Sequence, residues 1–191
     1  MNLLMNLYEK LSHLIRSNAD ICELLQYLRQ IDSAAYFSAG LIRNWIWSYL
    51  HNQNYSIFET EIDVIYFDPS EKMDERRNYL KGALQHRYPN IHWDITNQAL
   101  VHHWYRTDEG AQIDPYTSVH HAMSFWPETA TAIAIKLMEN NHIEILAALG
   151  LEDLFTLKLR WNDRLVSRGV FEHRLKSKCF LERWPKLSVV N

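Results

Sequence analysis

The most informative segment of this chain for predicting its fold is Glu61-Ile62-Asp63-Val64-Ile65-Tyr66-Phe67. From Ile62 onward its residues are β-branched or aromatic except for Asp63, which is the composition of a buried strand. Glu61 and Asp63 are two positions apart, so their side chains leave the same face of that strand. Two adjacent carboxylates repel each other unless a proton or a cation lies between them. The stretch therefore predicts a strand that begins with either a cation site or a pair of surface carboxylates.

A second predicted strand supplies a third carboxylate. Ile91-His92-Trp93-Asp94-Ile95 is short, apolar at alternate positions and preceded by the turn residues Pro89 and Asn90. If this strand pairs beside the first, Asp94 joins Glu61 and Asp63 in a cluster of three acids. Oxygen-only sites of this kind favour Mg²⁺, which usually binds through one or two carboxylates and substrate phosphates.

The chain between these two strands is predicted to be a helix over residues 71–87. Asp68-Pro69-Ser70-Glu71 has an acid suited to the N-cap position, proline at the first helical position and glutamate at the third. The proline at position 89 ends the pattern. Asp68 is accordingly assigned to the helix cap and not to the acidic site.

A glycine turn precedes the acidic strand. The sequence Tyr36-Phe37-Ser38-Ala39-Gly40 predicts a strand and a tight turn, and apolar spacing predicts a helix over 41–52. The free N–H groups and dipole at the start of such a helix favour phosphate, which approaches the backbone closely where there is no Cβ. Gly40 is thus a candidate phosphate contact or an ordinary turn glycine. Arg43 and Asn44 are candidates either for phosphate binding or for local capping and pairing.

The remaining patterns complete an α+β domain. Apolar residues at helical spacing predict two amphipathic helices within residues 1–31. Alternating segments around Asn140-Asn141 predict a β-hairpin over 131–147, followed by a strand at 156–160 and a helix at 170–180. We predict one domain, a mixed β-sheet flanked by helices, with the helical pair at 1–31 and the core at 36–189.

Composition excludes several classes of protein. The 191 residues are 47% hydrophobic and contain only 5 Gly and 5 Pro, which excludes disordered and low-complexity chains. Its longest apolar runs fall short of the roughly 18 residues that a membrane span requires. The two cysteines, Cys22 and Cys179, form neither a disulfide framework nor a zinc motif. A cytoplasmic protein without a membrane partner is expected.

The C-terminal sixth of the chain is basic. Residues 156–191 contain 9 Lys and Arg against 3 Asp and Glu, whereas the whole chain has a formal net charge of −3. This segment is either a solvated helix face or a surface that faces phosphate or nucleic acid. Arg160 and Lys178 are its candidate phosphate ligands.

A glycine turn, a helix and paired acids on a strand, in that order, resemble the nucleotidyltransferase superfamily of DNA polymerase β type. The chain is similar in particular to a bacterial family of predicted nucleotidyltransferases, over roughly residues 36 to 189. The shared motifs are AGLIRNWIW (39–47), IDVIYFD (62–68), NQA (97–99), DPYTS (114–118), WPETATAIAIKL (126–137), GLEDLF (150–155), FEHRLKSK (171–178) and RWPKL (183–187).

The resemblance implies a metal-dependent transfer of a nucleoside monophosphate from an NTP to an acceptor hydroxyl. Glu61, Asp63 and Asp94 would hold one or two Mg²⁺ ions, and Gly40 would contact the triphosphate. The acceptor in this superfamily can be RNA, protein or a small molecule, and the sequence does not choose among them. The first acid of the superfamily is normally Asp, whereas this chain has Glu61. The alternative is therefore a catalytically silent module that binds a nucleotide or a macromolecule on the same fold.

Overall fold

The structure, a computed structural model, describes residues 6–190 and is built around a five-stranded mixed sheet in the order β3-β2-β1-β4-β5. The strands are β1 (Tyr36–Ser38), β2 (Ile62–Tyr66), β3 (Trp93–Asn97), β4 (Ile133–Leu137), β5 (Ile143–Ala147), β6 (Lys158–Arg160) and β7 (Ser188–Val190). The α-helices are α1 (Leu7–Arg16), α2 (Ala19–Ile31), α3 (Gly40–Leu50), α4 (Glu75–Arg87), α5 (Val101–Trp104), α6 (Val119–Met123), α7 (Glu152–Phe155), α8 (Arg168–Ser177) and α9 (Phe180–Arg183).

The pairing of β2 brings the acidic positions together. β2 pairs in parallel with the edge strand β3 and antiparallel with β1, and the register places Asp63 between Asp94 on one side and Ser38 on the other. β4 and β5 form the hairpin expected around Asn140-Asn141. The predicted α+β fold with a mixed sheet is confirmed.

The N-terminal helices pack against the core of the sheet. Asn6 begins α1 with a reciprocal capping box to Glu9, and the side chain of Asn18 caps α2. Their buried leucines and isoleucines belong to the same hydrophobic core as Phe37, Trp47 and Val64. The predicted helical pair is therefore present, apart from residues 1–5, which lie outside the described part of the chain. None of the described helices is long and apolar enough to cross a membrane.

The predicted start of the helix over residues 71–87 is wrong. α4 begins at Glu75, four residues later than expected, and Asp68 instead accepts hydrogen bonds from the backbone and hydroxyl of Ser70 in a turn. The carboxylate of Glu71 accepts hydrogen bonds from the backbone N–H groups of Arg76 and Arg77 at the start of the helix. A carboxylate that reaches the helix from four residues before it thus replaces the expected cap.

The C-terminal segment is also more divided than the sequence predicts. The strand expected at 156–160 is confined to β6, which lies outside the main sheet and pairs in parallel with β7. The single helix expected at 170–180 is α8 and α9, separated at Cys179, whose φ of 51° breaks the helix. Trp184, which follows α9, is buried against Trp47 of α3 and anchors this segment to the core.

Candidate functional site

Three carboxylates meet where β2 and β3 begin. Glu61, Asp63 and Asp94 each offer an oxygen, and these atoms all lie within 4.8 Å of one another. The parallel register places Asp63 directly beside Asp94, and Glu61 lies two positions before Asp63 on the same side. The structure therefore brings together the three acids that the sequence predicts.

Asp63 is the least exposed member of this cluster and is partly buried. Burial is the main cause that raises the pKa of its carboxyl to about 6, and the neighbouring charges of Asp94 and Glu61 raise it further. The N–H of Gly40, whose nitrogen is 3.4 Å from Oδ2 of Asp63, and the charge of Arg43 act in the opposite direction. The site is thus short of positive charge and suited to a bound cation.

Glu61 lies at the exposed rim. Its side chain is 40% exposed, and its Oε2 is 2.6 Å from Nδ1 of His92, a residue of the turn before β3. No sequence pattern singles out His92, because its contact with Glu61 depends on the pairing of β2 with β3. One carboxylate of the cluster consequently already has a partner within the protein.

The turn before α3 differs from the predicted glycine turn. The residue in the left-handed region is Ala39, with φ of 48° and ψ of −109°, whereas Gly40 is the first residue of the helix. A Cβ on Gly40 would lie 3.6 Å from Oδ2 of Asp63 and 3.7 Å from the Arg43 guanidinium. Gly40 therefore keeps open the gap between an acid and a base, and the backbone strain lies one residue earlier.

Arg43 is a buried cation whose guanidinium faces this gap. It donates to Oδ1 of Asn44 and to the hydroxyl of Thr131, and it lies over the ring of Phe180 with its Cζ 4.6 Å from the ring centroid. Burial is the main cause that lowers its pKa to about 10, so it stays charged at neutral pH. Within residues 6–190 no carboxylate forms an ion pair with it.

Asn44 has a different place from the one expected of a ligand. Its amide oxygen accepts from Arg43 and its amide nitrogen donates to Thr60, so both ends of the side chain bind protein groups. Asn44 is 1% exposed. The amide holds the guanidinium of Arg43 toward the acids.

These groups line a cleft of about 600 Å³. Its floor follows β2 and β3 from the three acids past Thr96 to Gln98, and its walls come from α3, the segment 101–127 and the segment 165–183. The walls contain a group of basic side chains and a group of aromatic side chains. We call the two parts the cationic half and the aromatic half.

The cationic half adjoins α3 and contains four basic side chains, those of Arg43, Arg174, Lys178 and Arg183. Arg174 donates from Nε and Nη2 to the two carboxylate oxygens of the fully buried Glu128, at 2.7 and 3.2 Å. Arg160, the other basic residue expected at this surface, is not among the residues that line the cleft, and its Nε is 2.8 Å from Oδ2 of Asp153. Lys178 is in the cleft wall as expected.

The aromatic half was not predicted from the sequence. It consists of Val101, Trp104, Tyr105, Tyr116, Phe125 and Trp126. The rings of Tyr116 and Phe125 are 5.5 Å apart between centroids, and Trp104 is 64% exposed. These residues come from two segments on either side of a long loop, and no periodic pattern in the sequence marks them as one surface.

Comparison with known proteins agrees with this geometry. A family model described as nucleotidyltransferase matches residues 30–189. A protein whose NMR structure is said to reveal a CCA-adding enzyme head domain is 29% identical, with a TM-score of 0.79 and coverage of 100% of this chain and 98% of that one. The comparison with curated protein sequences found no match.

Complete CCA-adding enzymes share the fold at lower identity. One in complex with CTP is 14% identical with a TM-score of 0.57, over 95% of this chain and 43% of that one. The Thermotoga maritima enzyme in complex with tRNA is 14% identical with a TM-score of 0.59, over 95% of this chain and 42% of that one. The chain thus spans less than half the length of these enzymes. With most of its length matched by the family model, the chain belongs to the nucleotidyltransferase family.

Proposed function

We propose that the cleft binds an NTP with a divalent metal ion and transfers its nucleoside monophosphate to an acceptor hydroxyl. The observation that carries this proposal is the convergence of Glu61, Asp63 and Asp94 beside the N-terminus of α3. The acids and the basic side chains of the cationic half face the same cleft, as a metal-bound triphosphate requires.

The donor set fits a hard divalent cation. Three carboxylate oxygens lie within 4.8 Å of one another, and burial, together with the charges of Asp94 and Glu61, raises the pKa of the Asp63 carboxyl. Mg²⁺ prefers such oxygen ligands and leaves positions for phosphate and water, so we propose Mg²⁺, with two ions possible. When bound, the metal neutralises phosphate charge and stabilises the oxygens that attack and leave.

The protein's own groups would position the triphosphate along the cationic half. The first residues of α3, with Gly40 and Arg43, line the cleft beside the acids, and Arg174, Lys178 and Arg183 line the same cleft. Gly40 would allow phosphate to approach the helix backbone. Asn44, whose amide is already occupied, would act as a positioning residue for Arg43.

The transfer exchanges one P–O bond for another. The acceptor oxygen bonds to the α-phosphorus, the bond to the bridging oxygen breaks, and pyrophosphate leaves with that electron pair. Asp94, on the edge strand β3, is the carboxylate proposed to accept the hydroxyl proton. The acceptor itself can be RNA, protein or a small molecule, and RNA is favoured by the similar CCA-adding enzyme in complex with tRNA. The cytoplasmic location stays a prediction.

The contact between Glu61 and His92 favours a second candidate function. A carboxylate held 2.6 Å from an imidazole is less available to a metal, and the same cleft would then serve as a catalytically silent nucleotide-binding module. In that case NTP binding would depend on the basic side chains alone.

Calorimetric titration with ATP, CTP, GTP and UTP, with and without Mg²⁺, tests these two functions. Transfer requires metal-dependent binding together with release of pyrophosphate when labelled NTP and total cell extract are supplied. Asp63→Asn serves as the matched variant without a complete acidic cluster, and it should lose both signals. NTP binding that is equally strong in EDTA, with no pyrophosphate released, would overturn the proposed transfer and support the silent module.

A further inference from the structure

Gln98 is a buried polar residue that the proposed function does not use. It is 5% exposed, it lines the floor of the cleft, and its side-chain amide makes no hydrogen bond to any other residue of the described chain. Its neighbour Asn97, in the same NQA motif, binds Asp68 and Glu71 with its own amide. The amide of Gln98 is not among the fully enclosed unpartnered groups of the described chain, so it opens onto the cleft and is available to hydrogen-bond a ligand there.

The position of Gln98 along the floor separates it from the phosphates. Asp94 and Thr96 lie on β3, which ends at Asn97, and the three residues from Asp94 to Asn97 span about 10 Å. Gln98 follows directly after the strand, at the end of the floor away from the acids and three residues before α5, whose last residue is the exposed Trp104. The aromatic half and Gln98 together form a surface with flat apolar walls and one amide.

The in-line geometry of phosphoryl transfer indicates which substrate binds to the aromatic half and Gln98. The attacking and leaving oxygens lie on opposite sides of the transferred phosphorus. If pyrophosphate leaves on the side of α3, the acceptor hydroxyl must approach from the side of β3. β3 is the edge strand of the sheet, so this approach is open to solvent.

The charges of the side chains in the two halves also favour phosphate in the cationic half and the acceptor in the aromatic half. Among the cleft residues that the structure describes, the basic side chains are in the cationic half, whereas Val101, Trp104, Tyr105, Tyr116, Phe125 and Trp126 carry no formal charge. α8 reflects this division, since Val170 and then Arg174 face the cleft along its length, with Lys178 following at its end. Phosphate is suited to one half and an uncharged aromatic ring to the other.

We infer that the aromatic half binds the terminal nucleoside of the acceptor, with Trp104 stacking on its base and Gln98 reading the polar edge of that base. This inference rests on the proposed function and names its acceptor. A nucleoside combines a flat ring for the aromatic wall, donors and acceptors for an amide, and a sugar hydroxyl that can extend to the acids. The 3′ end of an RNA and a free nucleoside present the same chemistry to this surface, and the experiment distinguishes them.

The test uses the full chain, saturated with Mg²⁺ and an α,β-methylene NTP that cannot transfer. Adenosine, cytidine, guanosine and uridine are titrated into this complex by calorimetry, and a 12-nucleotide RNA forms a parallel arm. At least one nucleoside should bind. Trp104→Ala and Gln98→Leu should each weaken that binding by about ten-fold, the lower range for one stacked base. Tyr79→Ala, which removes an equally exposed ring from α4, is the control and should change nothing.

The outcomes separate this inference from the proposed function. Stronger binding of RNA than of nucleosides, with the same loss in Trp104→Ala, identifies an RNA end, and the reverse order identifies a free nucleoside. If the wild-type protein binds Mg²⁺ and NTP but no nucleoside or RNA, the inference fails and the proposed function stands. Loss of NTP affinity in Trp104→Ala would also overturn it, because the aromatic half would then hold the base of the NTP. A wild-type protein that binds no NTP contradicts the proposed function itself.

Discussion

The Asp63 carboxylate illustrates, at the scale of one residue, how a site can oppose stability. It is buried beside two like charges, which raises its pKa to about 6. An acid whose pKa is raised on folding lowers the free energy of unfolding when it is ionised, and Asp63 is ionised at neutral pH. The free energy lost in the metal-free protein would be recovered when a cation binds.

We predict that Asp63→Asn raises the thermal stability of the metal-free protein at pH 7.5. The change removes a buried charge, so the free energy of unfolding should rise by about 1–3 kcal/mol. The shift in Tm that Mg²⁺ gives to the wild-type protein should disappear in the variant. Thermal unfolding in EDTA and in Mg²⁺ measures both effects, with Asp114→Asn, an exposed acid, as control. A lower Tm in EDTA would contradict this account of Asp63.

Arg43 is the buried cation beside the acids, and we predict that it contributes to NTP binding. Its guanidinium is buried and points to the acids, and within residues 6–190 it has hydrogen bonds but no ion pair. Arg43→Met retains an unbranched side chain without charge and should weaken NTP binding by about ten-fold or more, the value of one charged hydrogen bond. Calorimetry measures this loss. Arg77→Met, on the exposed side of α4, should leave NTP affinity unchanged, and equal losses in both variants would argue against a phosphate contact.

Glu71 shows how a single carboxylate determines the start of an element. It accepts hydrogen bonds from Tyr66, Asn97 and the first backbone N–H groups of α4. Burial by itself would raise the pKa of Glu71, but the hydrogen bonds outweigh it and lower that pKa. The stabilisation is therefore present above the pKa of the unfolded group, about 4.3, and is lost as the pH falls through the folded pKa.

We expect Glu71→Gln to lower the free energy of unfolding by about 1–2 kcal/mol at pH 7, because charged hydrogen bonds become neutral ones at a partly exposed site. The difference from the wild-type protein should shrink at pH 3, which is below the pKa of the unfolded group, about 4.3. Urea unfolding at the two pH values tests this. Glu75→Gln removes an acid from the first turn of the same helix without those contacts, so its effect should stay below about 0.5 kcal/mol. Similar effects of the two substitutions would mean that Glu71 stabilises the protein only through the helix dipole and not through its hydrogen bonds.

Local patterns account for the elements that the sequence predicted correctly. Alternation around Asn140-Asn141 defines the β4–β5 hairpin, and the spacing of Glu61 and Asp63 fixes their common face. The convergence with Asp94 followed because two short apolar strands separated by a helix tend to pair in parallel. These predictions depended on neighbours within a few residues or on one simple topology.

The predictions that failed depended on contacts between distant segments. The strand expected at 156–160 is confined to β6 because it pairs with β7, about thirty positions away, and lies outside the main sheet. Trp104 and Gln98 became recognisable as a surface only when segment 101–127 faced α8. A sequence read by period and spacing contains no signal for such packing.

At the scale of the whole molecule, charge is segregated along the chain and then in space. The protein has a net charge of −3, yet residues 156–191 contain 9 basic and 3 acidic side chains. Folding divides those basic residues into two sets. Arg174, Lys178 and Arg183 line the cleft opposite the acids, whereas Arg160 is held by Asp153 outside it.

This division gives a matched pair of substitutions within one basic segment. Lys178→Ala removes a cation from the cleft wall, so affinity for NTP should fall by about ten-fold. The loss should be largest at low ionic strength, where charge interactions reach farthest. Arg160→Ala removes the same formal charge outside the cleft and should change NTP affinity by less than about two-fold, although it breaks the pair with Asp153. Calorimetric titrations at 20 and 300 mM salt compare the two. Equal losses would mean that NTP responds only to the net charge of the segment, whereas no loss in Lys178→Ala at 20 mM salt would remove Lys178 from the binding site.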